Sequence, residues 1–254
     1  MTHVKTNPKT VAAQIRRALK DGGSAEHAEG VQWFFKEEIK SRGWYTADLR
    51  RAAKRFREKI RKEYGLPFLV DVADQLFRGL ILEEKIAAVF LLENLDSDFD
   101  DAEFERFELW LDRINSWSDH DALVHDLIAP MLIAKPSRAK NVMRWAKSEN
   151  RWHRRAACVA LIRGARARMF FPETTKLSNF LLADDDDMVQ KGLGWLLRES
   201  AKFDPKQTIP YLMKIRERAP RLVLRTACET LPKSTRNRIL SAAPNIPGKS
   251  RTRA

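Results

Sequence analysis

Arg155-Ala-Ala-Cys-Val-Ala-Leu161 is one of five heptapeptides that share a pattern and a spacing. The others begin at Lys85, Asp121, Lys191 and Arg225, so successive intervals are 36, 34, 36 and 34 residues. Two residues after each start stands an apolar residue: Ala87, Leu123, Ala157, Leu193, Ala227. Three after stands a small or apolar one: Ala88, Val124, Cys158, Gly194, Cys228. Six after stands a leucine: Leu91, Leu127, Leu161, Leu197, Leu231. Other helical segments lie between them, such as Asp101–Ile114, Ser137–Lys147 and Glu173–Leu182. A period of about 35 with two helices per unit predicts an all-α fold, an α-solenoid of HEAT-like helix pairs. Each pair is too small to bury its apolar face alone, so neighbours must stack. Stacked pairs curve, and the second helix of each lines the concave side. The expected groove therefore carries Lys85, Asp121, Arg155, Lys191 and Arg225, four cations and one carboxylate.

The rest of the chain agrees with helix. Strand-like alternation is almost absent. Apolar residues recur at three- and four-residue spacing, as in Ile86, Val89 and Phe90. Breaks are expected at Gly43, Gly65–Pro67, Ala129–Pro136, Phe171–Pro172, Pro205, Pro210, Pro220 and Pro232. That leaves about a dozen helices of ordinary length. One domain is expected over 1–240. Residues 241–254, with Pro244, Pro247 and Gly248 and no apolar period, read as a basic disordered tail.

Composition excludes several classes. No apolar run approaches the roughly 20 residues of a membrane span, and the N-terminus lacks a secretory signal. Two cysteines, Cys158 and Cys228, form neither a disulfide framework nor a metal-ligand pattern, which points to a reducing cytoplasm. No GxGxxG or GxxxxGK[ST] is present, so no nucleotide cofactor is expected. The five histidines form no metal site. The net charge is +13, and both termini contribute to it: residues 1–20 hold five bases and no acid, residues 233–254 six and none. The middle is segregated. Glu93 to Asp126 holds 12 acids and two bases; Lys135 to Arg168 holds 11 bases and one acid. The basic block suits a polyanion, nucleic acid first, or is a solvated face paired with its acidic neighbour.

A carboxylate in a cationic groove repels phosphate, so Asp121 stands out as the place for a site. It also closes the sequence Ser118-Asp119-His120-Asp121, which has the form of a capping box. Both roles are open and compatible. Seven tryptophans sharpen the picture. Trp117 precedes Asp121 by four residues, Trp152 precedes Arg155 by three, and Trp195 follows Lys191 by four, which places each pair on one helix face. Indoles interleaved with cations hold nucleotides by stacking. Trp110 and Trp145, on the intervening helices, are expected in the core.

Gln32-Trp-Phe-Phe-Lys36, Ser116-Trp-Ser-Asp-His-Asp121, Trp152-His-Arg-Arg-Ala-Ala157 and Lys191-Gly-Leu-Gly-Trp-Leu-Leu-Arg-Glu-Ser-Ala-Lys202 resemble the AlkD-type DNA alkylation repair proteins. These are HEAT-like repeat DNA glycosylases that excise cationic N-alkylated purines. The resemblance covers roughly residues 10 to 235. It implies that Asp121 is the catalytic aspartate, that Trp117 and Trp195 contact the deoxyribose, that Arg155 is the groove arginine, and that Phe34 stands where the family has a tyrosine. Lys85, Lys191 and Arg225 complete the expected DNA contacts. His120, and Ser118 in place of an acid, are departures.

The implied reaction hydrolyses the N-glycosidic bond of 7-methylguanine or 3-methyladenine in duplex DNA, within base excision repair, by a monomer that needs no cofactor or metal. Two other readings remain: a non-catalytic nucleic-acid-binding HEAT-repeat protein and a protein scaffold. Retention of Asp121 together with Trp117 favours catalysis.

Overall fold

The computed structural model describes residues 6–241. Among them the only β feature is an isolated parallel bridge between Lys40 and Ile81; the rest is helix and connection. The helices are α1 (Pro8–Lys20), α2 (Ala25–Gln32), α3 (Thr46–Phe77), α4 (Leu82–Leu92), α5 (Asp101–Trp110), α6 (Trp117–Leu123), α7 (Ala129–Ala134), α8 (Lys140–Trp145), α9 (Arg151–Val159), α10 (Ile162–Arg166), α11 (Phe171–Leu181), α12 (Asp187–Phe203), α13 (Pro205–Ile215), α14 (Arg221–Ala227) and α15 (Lys233–Leu240). The chain divides into two compact units, residues 1–131 and 132–254. The expected tail lies outside the described residues, apart from Ser241.

The five heptapeptides fall on α4, α6, α9, α12 and α14 and run past the ends of the shorter ones. Their matched apolar positions are buried, as are several of the residues between them. Ala87, Ala88, Leu91, Leu123, Val124, Leu127, Ala157, Cys158, Leu161, Leu193, Leu197, Ala227 and Cys228 all lie in the core, while Leu231, at the last repeat, is half-buried. The repeat is thus a periodicity of burial.

In the first unit, α4 is buried nearly all round, its charged Glu83, Glu84 and Lys85 included, and is packed by α3, α6 and α1. Asn7 starts α1, accepting the Thr10 amide at 2.9 Å, with Pro8 in the first turn. Gly65, at φ +82°, and Pro67 kink α3 where a break was expected. Trp110 is fully buried, stacked on Phe77 at 4.4 Å. Its indole N–H donates to Asp74 Oδ1 at 2.9 Å.

In the second unit, α12 is the centre, contacted by α9, α10, α11, α13 and α14. The glycines of Lys191-Gly-Leu-Gly-Trp195 explain themselves there. A Cβ on Gly194 would sit 2.6 Å from Thr226 Cβ, and one on Gly192 3.2 Å from Arg155 Cγ. A side chain at Gly194 would push α14 away from α12, and one at Gly192 would crowd Arg155. Trp145 is buried, as expected, and Cys158 and Cys228 are buried free thiols. Pro210 corrects one expectation: it lies inside α13 rather than ending it. Thr208, Leu212 and Ile215 are buried around it, so packing outweighs the lost hydrogen bond.

Asp74 joins α3, α5 and the turn after it. It accepts from Arg113 Nη1 at 2.7 Å and Arg78 Nε at 2.9 Å. Burial opposes its ionisation, but these hydrogen bonds outweigh burial and hold the carboxyl below the ordinary range. A lowered carboxyl pKa contributes stability above the unfolded value of about 4, lost as pH falls through the folded value. Asp74→Asn should therefore destabilise the protein at neutral pH. Urea titrations should show the gap to wild type closing only below about pH 4.

Candidate active site

The segment Ser116–Asp121 builds two carboxylates with opposite surroundings. Ser116 is the N-cap of α6 and Asp119 its capping-box partner. Asp119 Oδ1 accepts from the Ser116 amide at 2.7 Å and from Ser116 Oγ at 2.5 Å; Oδ2 accepts from the Asn115 amide at 3.0 Å. Asp119 is fully buried. Capping therefore belongs to Ser116 and Asp119, and Asp121 sits past the first turn, free of the capping role that its sequence also allowed.

Lys85 lies beneath this turn and overturns another expectation. It is 1% exposed, its Nζ 3.7 Å from Asp119 Oδ2 and 4.5 Å from the centre of the Phe77 ring. Nζ donates to the carbonyls of Phe77, at 3.2 Å, and Arg113. Burial pulls the ammonium below its ordinary pKa, and the Asp119 charge opposes that shift. With its donors held inside the unit, Lys85 is no phosphate contact. The heptapeptide start at α4 points inward because that helix has no wet face.

Trp117 and Asp121 are one turn apart on α6, hence on one face. Asp121 keeps its side chain 19% exposed, and its Oδ1 lies 2.7 Å from Nδ1 of His120, which is fully buried. The imidazole is thus held by the core and the carboxylate by the imidazole. Trp117 is stacked by Phe35, with ring centres 4.9 Å apart and planes 15° from parallel. Phe35, not Phe34, is the N-terminal aromatic at this place; Phe34 is 74% exposed. Sequence spacing missed this because α2 ends at Gln32, so helical periodicity does not extend to Phe35. After Leu123 the helix widens into a π turn, Val124–Ile128. Pro130, which lacks the N–H for the Asp126 carbonyl, follows at once, and such turns recur at functional sites.

In the second unit, Arg155 on α9 is buried, with Nη1 donating to the Met188 carbonyl at 2.6 Å. Lys191 on α12 is half-exposed, 3.3 Å from Asp187, and Trp195 stands one turn further along the same helix, also half-buried. Arg225 on α14 is exposed. An exposed cationic register thus describes Lys191 and Arg225, while Lys85 and Arg155 are anchored inside their units. No group of side chains among the described residues is arranged to hold a metal, and no helix among them is long and apolar enough to cross a membrane.

The chain belongs to the DNA alkylation repair enzyme family, whose model matches residues 15–231. Its fold is similar to that of a solved structure described as a predicted DNA alkylation repair enzyme from Enterococcus faecalis. The TM-score is 0.74 at 18% identity, over 84% of this chain and 98% of that one. No curated protein matches it.

The two carboxylates should respond oppositely to the same change. Asp119→Asn leaves a buried Lys85 without its counter-ion and should cost about 3–5 kcal/mol. Asp121→Asn, at a partly exposed position that caps nothing, should cost under about 1 kcal/mol. Chemical denaturation of both variants checks this; equal losses would contradict the division of roles.

Proposed function

We propose that the protein is a DNA glycosylase that hydrolyses the N-glycosidic bond of cationic N-alkylated purines, such as 7-methylguanine and 3-methyladenine, in duplex DNA. The observation that carries this reading is the α6 arrangement: a partly exposed carboxylate held by a buried imidazole, one turn from a stacked indole. Membership of the alkylation repair family supports it.

The chemistry fits those groups. Alkylation at purine N3 or N7 makes the base cationic and a good leaving group. The bond breaks through an oxocarbenium-like sugar. Asp121 would stabilise that charge and orient the attacking water. The face of Trp117 would add cation–π stabilisation. No general acid is required, because the leaving base already carries the proton's equivalent of charge. In this reading the helix pairs stack as a HEAT-like solenoid, the protein acts as a monomer in the cytoplasm, and the basic residues of the concave face follow the phosphate backbone. Lys191 and Arg225 are the exposed members of that set, with Arg155 behind them.

Asp121→Asn should lower the rate of methylated purine release by about 10²-fold or more, with DNA affinity retained. Uracil, hypoxanthine and 8-oxoguanine, whose bases are neutral, should stay in place. A near wild-type rate in the variant, or excision of uracil at a comparable rate, would overturn the mechanism.

Affinity for duplex DNA should fall steeply with salt. Arg225→Ala should reduce the slope by about one phosphate contact. Salt-independent affinity would favour a protein scaffold over either nucleic-acid reading.

A further inference from the structure

The chain carries 47 Lys and Arg, yet residues 21–35 contain none. They contain Asp21, Glu26 and Glu29, and they end in Trp33-Phe34-Phe35. Phe35 turns in against Trp117. Its two neighbours turn out: Trp33 is 90% exposed and Phe34 74%. Neither ring stacks on another or lies under a cation among the described residues. Two adjacent aromatics left in water are costly unless something covers them.

The backbone that presents them is fixed. The amides of Phe34 and Phe35 donate to the carbonyls of Val31, at 3.1 Å, and Gln32, at 3.0 Å. The Gln32 side chain bridges the loop from within, donating to the Glu37 carbonyl at 2.9 Å and accepting from the Ile39 amide at 3.0 Å. Further along, the Leu82 amide donates to the Lys40 carbonyl at 2.9 Å, and buried Glu83 accepts from the amides of Arg42, at 2.8 Å, and Gly43, at 3.0 Å. A loop held this way presents its side chains without an ordering cost at binding.

The charge beside the rings selects what covers them. Glu29 precedes Trp33 by four residues and Glu26 precedes Glu29 by three, so they share a face of α2 that leads to the indole. Both are exposed and neither has an ion pair among the described residues, whereas Lys36, exposed directly after Phe35, is itself engaged in an interaction. Phe34, past the end of α2, is 74% exposed. Carboxylates repel a phosphate backbone. Aromatic faces beside carboxylates attract a planar organic cation, through the ring quadrupole and through charge.

We infer that Trp33 and Phe34, with Glu29, form a recognition site for a cationic N-alkylated nucleobase, distinct from the Asp121 carboxylate that acts on the sugar. The site is joined to that carboxylate through Phe35 and Trp117. The loop itself selects a planar organic cation; that the cation is an N-alkylated nucleobase rests on the proposed glycosylase activity.

The test uses the full chain and free nucleosides, so it does not depend on catalysis. 7-Methylguanosine, titrated calorimetrically at about pH 6, where carboxylates are ionised, should bind about 10-fold more tightly than guanosine. Trp33→Ala and Phe34→Ala should each remove most of that preference, and Glu29→Gln should reduce it severalfold. All three positions are exposed, and thermal unfolding should match wild type. Equal binding of the two nucleosides, or a preference untouched by Trp33→Ala, overturns the inference. So does a Trp33-dependent dimer in sedimentation with no nucleoside effect, which would assign the rings to a second copy. Methylpurine release by wild type, measured separately on alkylated duplex, reports on the glycosylase reading. Release without nucleoside binding sinks only the loop site, and binding without release sinks only the glycosylase.

Discussion

The Lys85–Asp119 pair is the contact on which the candidate site depends. Both groups are removed from water, and a buried charge without its partner costs several kcal/mol. The pair is tolerated because hydrogen bonds from the surrounding backbone and side chains satisfy most of its polar atoms. Asp119 accepts from three donors of Asn115 and Ser116 besides facing Lys85, and Lys85 donates to two carbonyls. Those bonds fix where α6 starts and how it is rotated. Because α6 is only seven residues long, its propensity could not do so. Rotation of the first turn decides which way Trp117 and Asp121 face, so a structural ion pair on one side of the helix sets the chemical face on the other.

Much of the helical order was legible because it is a pattern of burial. Offsets of two, three and six residues from each repeat start are core positions, and a core position constrains residue type strongly enough to leave a period. Trp110 and Trp145 were legible for the same reason. The repeat starts themselves were less so. Nothing in the spacing distinguishes Lys85, which points inward from a helix with no wet face, from Arg225, which faces solvent. Side-chain direction at the edge of the core depends on how many neighbours surround the helix, and a single sequence does not display that.

The site shows the same division. Asp121 and Trp117 could be read from their four-residue spacing and from a motif. The capping role could not be assigned to the right acid, since Ser116-x-x-Asp119 and Ser118-x-x-Asp121 have identical form. Hydrogen bonds to buried partners separate them. Phe34 and Phe35 differ by one position, but past the end of α2 one position reverses inside and outside. His120 carried no recognisable pattern. Its meaning is its depth, since an imidazole with no solvent access holds a neighbouring carboxylate more firmly than a surface group can.

Electrostatic economy runs through the whole arrangement. Under the proposed function, a basic protein that follows a polyanion must still present negative charge wherever the ligand or transition state is cationic. The chain does this twice in its first unit, in separate ways. Asp121 is a single carboxylate in a half-buried setting, where attraction to a nearby cation is strongest because little water screens it. Glu26 and Glu29 lie in water, where each acts weakly, and there the rings of Trp33 and Phe34 supply the contact that charge alone cannot. The acids of α2 and α6 are interrupted by no Lys or Arg on those helices. A uniform mixture of the same residues would have the same net charge and no such acidic faces, because each carboxylate would lie beside a cation that neutralises it.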